Sequence, residues 1–310
     1  MLKILFSAHR DRWSEYEQPL NAAFAAVGLA ADLALDHSPD EVDYIVFAPN
    51  GPVSDFRPYS KTKAVMGLWA GVETIVNNDT LTQPLCRLVD ESLTDGMVEW
   101  VTGHTLRHHL GMDTHIKGQD GVWRDDSFPP LATNRPVTIL GIGALGAACG
   151  QALARLGFPV TGWSRTAKSV PDMRCLHGEE GLIEALTAAE IVILLLPQTP
   201  ETTGILNEKT FSLLAEGAFI INPGRGPLID DSALLAALDR GQVAHATLDV
   251  FRTEPLPPDH PFWSHPKVTV TPHIASTTRP ETAAKVIAEN ILRGERGEPF
   301  KYLVDRARGY

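Results

Sequence analysis

Three side chains in the last third of the chain are of the types that assist hydride transfer at a carbonyl, by gripping the substrate and by giving or taking the proton on its oxygen. Arg225 lies in Asn222-Pro223-Gly224-Arg225-Gly226, and Glu254 closes the run Asp249-Val250-Phe251-Arg252-Thr253-Glu254 ahead of Pro255-Leu256-Pro257. His273 lies in Thr271-Pro272-His273-Ile274-Ala275-Ser276, presented by a turn that a proline starts. A guanidinium grips a carboxylate through two parallel hydrogen bonds, and flanking glycines would give it room to reach one. Reduction of a ketone builds negative charge on its oxygen, so a cation and an acidic imidazolium stabilise that charge where it appears. A neighbouring carboxylate favours the imidazolium. Taken singly, each residue also has a plainer explanation: a surface arginine, a solvated glutamate, a capped histidine. Together they make a coherent hydride-transfer site, provided a dinucleotide binds upstream.

That upstream site is present as a pattern. The apolar run Val137-Thr138-Ile139-Leu140 ends in Gly141-Ile142-Gly143-Ala144-Leu145-Gly146, and a helical spacing follows at Ala148, Ala152, Leu153 and Leu156. A strand, a tight glycine turn and a helix N-terminus form a pyrophosphate cradle. The first glycine makes the turn, the second lets backbone approach the phosphates, and the third lets helix pack on strand. Gly141, Gly143, Ala144, Leu145 and Gly146 are therefore the expected phosphate contacts, with a ligand-free glycine turn as the plain alternative. A second strand, Val160–Trp163, follows Gly157 and completes a βαβ unit. Where an NAD site usually carries Asp or Glu, this chain has Trp163-Ser164-Arg165-Thr166, with Lys168 close behind. Hydroxyls and cations suit a 2′-phosphate that a carboxylate would repel. Ser164, Arg165, Thr166 and Lys168 thus predict NADP, with NADPH preferred and NAD still open; a solvated basic turn is the alternative.

The elements that position these residues are α/β in type. Strands are expected at Lys3–Ser7, Tyr44–Ala48 and Ala64–Leu68, with a helix at Leu20–Val27, in a small domain over residues 1–100. A long helix, Thr94–Leu110, leads into a nucleotide domain over 101–276. Its strands are Val137–Leu140, Val160–Trp163, Ile191–Leu196, Ala218–Asn222, Ala246–Asp249 and Val268–Thr271, with a helix at Asp231–Asp239. A helix at Pro280–Arg293 would return the chain to the first domain over 277–310. The expected fold is a Rossmann-type doubly wound parallel sheet inserted into a discontinuous, smaller flavodoxin-like α/β substrate domain, with the substrate in the cleft between them. Residues Gly111 to Pro136 are polar, with several Gly and Pro around Trp123, and aperiodic, as in an arm that a partner subunit covers.

Composition narrows the class. The chain has 310 residues, 44% apolar and 21% charged, which suits two ordinary folded domains. A net charge of −11 gives nucleic acid or an anionic membrane nothing to bind. Cys86, Cys149 and Cys175 are few, odd in number and widely spaced, as expected of reduced thiols in a cytoplasmic protein. The first residues, Met1-Leu2-Lys3-Ile4-Leu5-Phe6, read as a strand rather than a signal segment. His104 and His108 stand one helical turn apart beside His109 and His115, but without Cys or acidic partners they predict no metal. Trp13, Trp100, Trp123 and Trp263 are expected to be packing residues.

The same segments, with Leu196-Pro197-Gln198-Thr199-Pro200-Glu201-Thr202 and Leu248 through Pro257, resemble the D-isomer-specific 2-hydroxyacid dehydrogenases over nearly the whole chain. Trp163 to Thr166, Glu254 to Pro258 and the tail Val304 to Tyr310 are similar to its bacterial glyoxylate- and hydroxypyruvate-reducing branch. The resemblance implies that Arg225 holds the substrate carboxylate and polarises the carbonyl, that His273 protonates the carbonyl oxygen, and that Glu254 hydrogen-bonds His273. It adds Leu196, Pro197, Thr202, Pro223, Gly224 and Ser276 to the cofactor contacts, and gives Asp249 the nicotinamide amide. The substrate loop aligns with Leu68-Trp69-Ala70-Gly71-Val72, so Trp69, Ala70 and Gly71 would meet the substrate through backbone N–H groups. Trp69 departs from the small residue usual there; a core position for it is the alternative. The implied activity is reduction of small 2-oxo acids by a homodimer. Another D-2-hydroxy acid is the alternative substrate, and a dinucleotide-sensing regulator the alternative role, although sensing needs none of Arg225, Glu254 and His273.

Overall fold

The computed structural model describes residues 1–125, 128–307 and 309, and the chain divides into two compact units, Met1–Leu93 with Thr277–Tyr310, and Thr94–Ser276. In the first unit, β1 (Leu2–Ser7), α1 (Trp13–Ala26), β2 (Ala31–Ala34), β3 (Tyr44–Phe47), β4 (Ala64–Gly67) and β5 (Leu85–Cys86) follow in order. The five strands are parallel in the order β2-β1-β3-β4-β5, the flavodoxin-like arrangement. Helix α1 begins well before Leu20 because its buried stripe, Tyr16, Leu20, Ala23 and Phe24, keeps helical spacing straight through Pro19. Burial of that stripe outweighs the hydrogen bond that the proline forfeits. Strands β2 and β5 were not expected from the sequence. They are edge strands of four and two residues, too short to show a period.

Helix α2 (Glu91–His109) starts just before the second unit and is followed by α3 (Met112–Lys117) in the stretch expected to be aperiodic. Then come β6 (Val137–Leu140), α4 (Ala144–Arg155), β7 (Val160–Ser164), β8 (Arg174–His177), α5 (Gly178–Leu186), β9 (Ile191–Leu194) and α6 (Glu208–Phe211). The unit ends with β10 (Ala218–Asn222), α7 (Asp231–Asp239), β11 (Val243–Leu248) and β12 (Val268–Val270). Its seven strands are all parallel, in the order β12-β11-β10-β9-β6-β7-β8. This is the doubly wound Rossmann order, and the direction of winding reverses between β6 and β9. Central strands such as Ile191-Val192-Ile193-Leu194 are buried on both faces, hence their unbroken apolar runs. Helix α8 (Pro280–Glu295) returns to the first unit and packs Ala283, Ala284, Ile287, Ala288 and Ile291 against the face that also receives α1.

Two tryptophans depart from the packing expectation. Trp13 meets Phe6 edge-on at 5.4 Å and Trp100 lies 4.3 Å from His104, but Trp123 and Trp263 are exposed. Trp263 lies over the proline-rich loop, its indole N–H donating to the Pro257 carbonyl. Trp123 lies in the aperiodic stretch with no strand or helix of its own to pack it. Among the described residues no helix is long and apolar enough to cross a membrane, and no group of three or more metal-binding side chains gathers.

Candidate active site

The loops that leave β6 and β9 meet at the switch point of the second sheet. A Cβ on Gly141, whose φ is +103°, would lie 2.6 Å from the Leu195 carbonyl, and one on Gly146 would lie 1.9 Å from the Gly141 oxygen. Both glycines are thus fixed by close backbone packing. Gly143 differs, because a Cβ there would meet nothing within 4 Å. That open side faces the start of α4, whose N-cap Gly143 has no side chain to cap the first N–H groups, those of Ala144 and Leu145 included. An uncapped helix start beside bare glycine backbone fits a pyrophosphate. Ser164 ends β7, and Arg165 and Thr166 follow in the turn after it. Ser164 is buried and donates to the Thr166 carbonyl, Arg165 and Thr166 are exposed, and the Lys168 ammonium reaches back to the Ile142 carbonyl at 3.3 Å. Glu201 is close enough to feel Arg165, although its hydrogen bond to Thr199 is the main reason its carboxyl lies below the usual range. On the β9 side, Leu196 is buried and Pro197 half-buried. The Thr202 hydroxyl closes its own turn, donating to the Pro197 carbonyl and accepting from the Thr199 N–H.

The chemistry-bearing side chains leave the neighbouring strands β10, β11 and β12. Pro223 and Gly224 are buried, and Arg225 is half-buried with Nη1 donating to the Gly224 carbonyl at 2.6 Å. The glycines beside Arg225 do not serve to give it room, as the sequence suggested. A Cβ on Gly224 would lie 2.8 Å from the Leu194 carbonyl and one on Gly226 2.0 Å from the Phe251 backbone, so both are there for close packing. Glu254 accepts from the Phe251 N–H through Oε1 at 2.8 Å and meets His273 Nδ1 through Oε2 at 2.6 Å. With Nδ1 engaged, Nε2 is the nitrogen left to face a ligand. His273 has φ +55°, an uncommon conformation for a residue with a side chain. Asp249 holds that turn. Its buried carboxylate accepts from the Thr271 hydroxyl at 2.6 Å, from Ile274 N at 2.8 Å and from Ala275 N at 2.9 Å, while its carbonyl accepts from His273 N. Ser276 follows, and Gly96 on α2 admits it, since a Cβ there would stand 3.0 Å from the Ser276 hydroxyl.

Sequence reasoning passed over two residues here. Asn222 has no role that its place in the motif suggests, yet it is fully buried and its carboxamide bonds both Gly224 N and the Arg225 carbonyl. Thr271 is the other, its hydroxyl clasping the Asp249 carboxylate. Only the polarity of a residue that ends an otherwise apolar strand could have flagged Asn222. In the first unit, Trp69 is 42% exposed, which removes the core alternative for it, and its carbonyl accepts from Leu88 N. Ala70 and Gly71 follow, both half-buried, in the bend after β4. The tail is tied down rather than loose: Arg306 donates to the carbonyls of Val76, Asn78 and Leu81. Arg308 and Tyr310 lie outside the described residues.

This arrangement has relatives. Residues 102–275 match the family model of the D-isomer specific 2-hydroxyacid dehydrogenase, NAD binding domain. The chain belongs to the D-isomer-specific 2-hydroxyacid dehydrogenases. Within this dehydrogenase family it is 42% identical to glyoxylate/hydroxypyruvate reductase A of Serratia proteamaculans, over 81% of this chain and 82% of that one. A solved dehydrogenase from Xanthobacter autotrophicus, in complex with NADPH and MES, superposes with a TM-score of 0.93 at 40% identity, covering 99% of each chain. The NADPH-dependent glyoxylate/hydroxypyruvate reductase of Sinorhizobium meliloti, in complex with NADP and sulfate, gives 0.87 at 31% identity and full coverage of both.

Proposed function

We propose that this dehydrogenase reduces small 2-oxo acids with NADPH, glyoxylate to glycolate and hydroxypyruvate to D-glycerate. The observation that carries the reading is the His273–Glu254 pair, 2.6 Å apart, with Arg225 on the neighbouring strand end of one parallel sheet. The relatives named above support the substrate class, and the Ser164-Arg165-Thr166 turn with Lys168 supports the phosphorylated cofactor. When bound, the cofactor supplies the hydride. Everything else comes from the chain. Gly141, Gly143, Ala144, Leu145 and Gly146 hold the pyrophosphate through backbone, and Leu196, Pro197, Thr202, Pro223, Gly224 and Ser276 line the rest of the nucleotide site. The three hydrogen bonds to Asp249 leave one of its roughly four acceptor sites for the nicotinamide amide.

Arg225 binds the carboxylate of the oxo acid and polarises its carbonyl. His273 Nε2 gives its proton to the carbonyl oxygen as charge develops there, and Glu254 stabilises the imidazolium and fixes its ring. Trp69, Ala70 and Gly71 meet the substrate from the first unit, which is the substrate domain in this reading; residues 94–276 are the dinucleotide domain. A cytoplasmic homodimer, joined through the stretch between α2 and β6, completes it. The direct test is a panel of 2-oxo acids assayed with NADPH and with NADH. Rapid NADPH oxidation with glyoxylate and hydroxypyruvate is expected, and no turnover with any 2-oxo acid would sink the reading.

A further inference from the structure

Asn222 is a buried polar side chain for which the proposed chemistry has no direct use. It ends β10, is 0% exposed, and lies among apolar neighbours on a central strand. Its Oδ1 accepts from Gly224 N at 3.1 Å, and its Nδ2 donates to the Arg225 carbonyl at 3.0 Å. One planar carboxamide therefore grips the backbone on both sides of Arg225. The guanidinium folds back onto the carbonyl of the peptide between those two contacts, that of Gly224, at 2.6 Å. The Asn222 carbonyl also accepts from Asp249 N at 3.0 Å, and the Asp249 carbonyl from His273 N at 2.9 Å. The arginine and histidine loops are thus joined by a continuous line of hydrogen bonds.

The physical need for such a clamp follows from the glycines. Gly224 and Gly226 are small because backbone packs against them, so neither has a side chain that could tie down the loop beside Arg225. A carboxamide buried without partners costs free energy, whereas an apolar side chain would fill the same space without that cost. Its hydrogen bonds must therefore serve the loop rather than the packing.

We propose that Asn222 is a positioning residue for Arg225, fixing the Gly224–Arg225 backbone so that the guanidinium stands where the oxo acid carboxylate docks. It acts through Arg225 and touches neither substrate nor cofactor. The inference rests on the proposed role of Arg225.

A double-mutant cycle tests it. Asn222→Ala, Arg225→Ala and the double variant are compared with the native enzyme for kcat and KM with glyoxylate, for NADPH affinity by fluorescence, and for melting temperature. Asn222→Ala should lose about 10- to 100-fold in kcat/KM, the order of loss that an ångström of misplacement brings, chiefly through KM. NADPH affinity should stay within about twofold. Asn222→Asp, nearly the same shape, keeps an acceptor for Gly224 N but turns an oxygen toward the Arg225 carbonyl, and should be impaired alike. It carries the cycle should the alanine variant fail to fold. In the Arg225→Ala background the Asn222 substitution should add nothing. A further loss there, a normal KM in both single Asn222 variants, or a parallel loss of NADPH binding would overturn the proposal while leaving the functional reading intact. Near-native activity of Arg225→Ala would overturn that reading, and this inference with it.

Discussion

At the scale of single residues, His273 and Trp69 carry the sharpest expectations. His273 is held in an uncommon backbone conformation by Asp249 and hydrogen-bonded by Glu254, so its ring is placed by others. His273→Asn should bind NADPH as the native enzyme does and reduce glyoxylate about two to four orders of magnitude more slowly, the usual value of a positioned acid. Single-turnover reduction at the native rate would show that the proton comes from elsewhere. Trp69 is legible in the sequence as an oddity, and its exposure is what the proposed contact with substrate requires. Trp69→Gly should raise the ratio of specificity constants for phenylpyruvate over glyoxylate, by about 1–3 kcal/mol per methylene accommodated. Because the side chain is exposed, melting temperature should barely move, and an unchanged ratio would assign the pocket wall to another residue. Asn222 and the bracing part of Asp249 were not legible. A motif names which side chains could react, but the partners of a buried amide or carboxylate are set by how three strands converge.

At the scale of elements, the turn after β7 and the helix α2 make separate claims. The turn carries Arg165 and Lys168 with no carboxylate of its own, and in the proposed reading they meet the 2′-phosphate. Ser164→Asp with Arg165→Ala should lower NADPH use and favour NADH relatively, by adding repulsion and removing a partner. A native preference for NADH would already contradict this. Helix α2 buries His108 against Thr247, at 2.9 Å, and against the Phe219 ring, while His245 bonds Thr269 nearby. Burial, then the charges of His245, Arg107 and His104, push His108 down to about 3, against a smaller opposing effect of Asp113. His245 is pushed down to about 4, again chiefly by burial and then by Arg107. Above about pH 6.5 these rings are neutral folded or unfolded, and the stability is complete. Below it the unfolded chain takes up protons that the fold refuses, so stability should fall by about 1.4 kcal/mol per pH unit for each ring. Urea midpoints measured at pH 7, 6 and 5 should decline, and less steeply in His108→Gln, which keeps a bond to Thr247 but does not titrate. Equal slopes would show that His108 is protonated in the fold. The elements themselves were readable wherever an apolar run or stripe was long enough, as in β6, β9, α7 and α8. They were not where edge strands have two to four residues, as in β2, β5 and β8, or where a proline hid the first turns of α1.

At the scale of the whole molecule, the described residues between α2 and β6 expose a run of large apolar side chains. Trp123 is 88% exposed and Phe128 83%, with Ile116, Val122 and Leu131 exposed beside them in sequence. So many large apolar side chains in one segment are far more than scattered surface exposure requires, and a chain alone in water gains nothing from them. A two-fold partner would cover this segment with the same segment or its surroundings, because closed symmetric pairs are the commonest assembly. The sequence suggested an arm there from its glycines, prolines and lack of period, but placed Trp123 in packing, since a lone tryptophan looks the same in a core as on an interface. Sedimentation velocity should give twice the chain mass for the native protein. Trp123→Asp with Phe128→Asp should shift it to one chain mass while the far-ultraviolet spectrum stays native, because neither side chain supports the fold of its own chain. A native protein that sediments as a monomer at micromolar concentration would refute the dimer. A variant that remains dimeric would place the contact on another face.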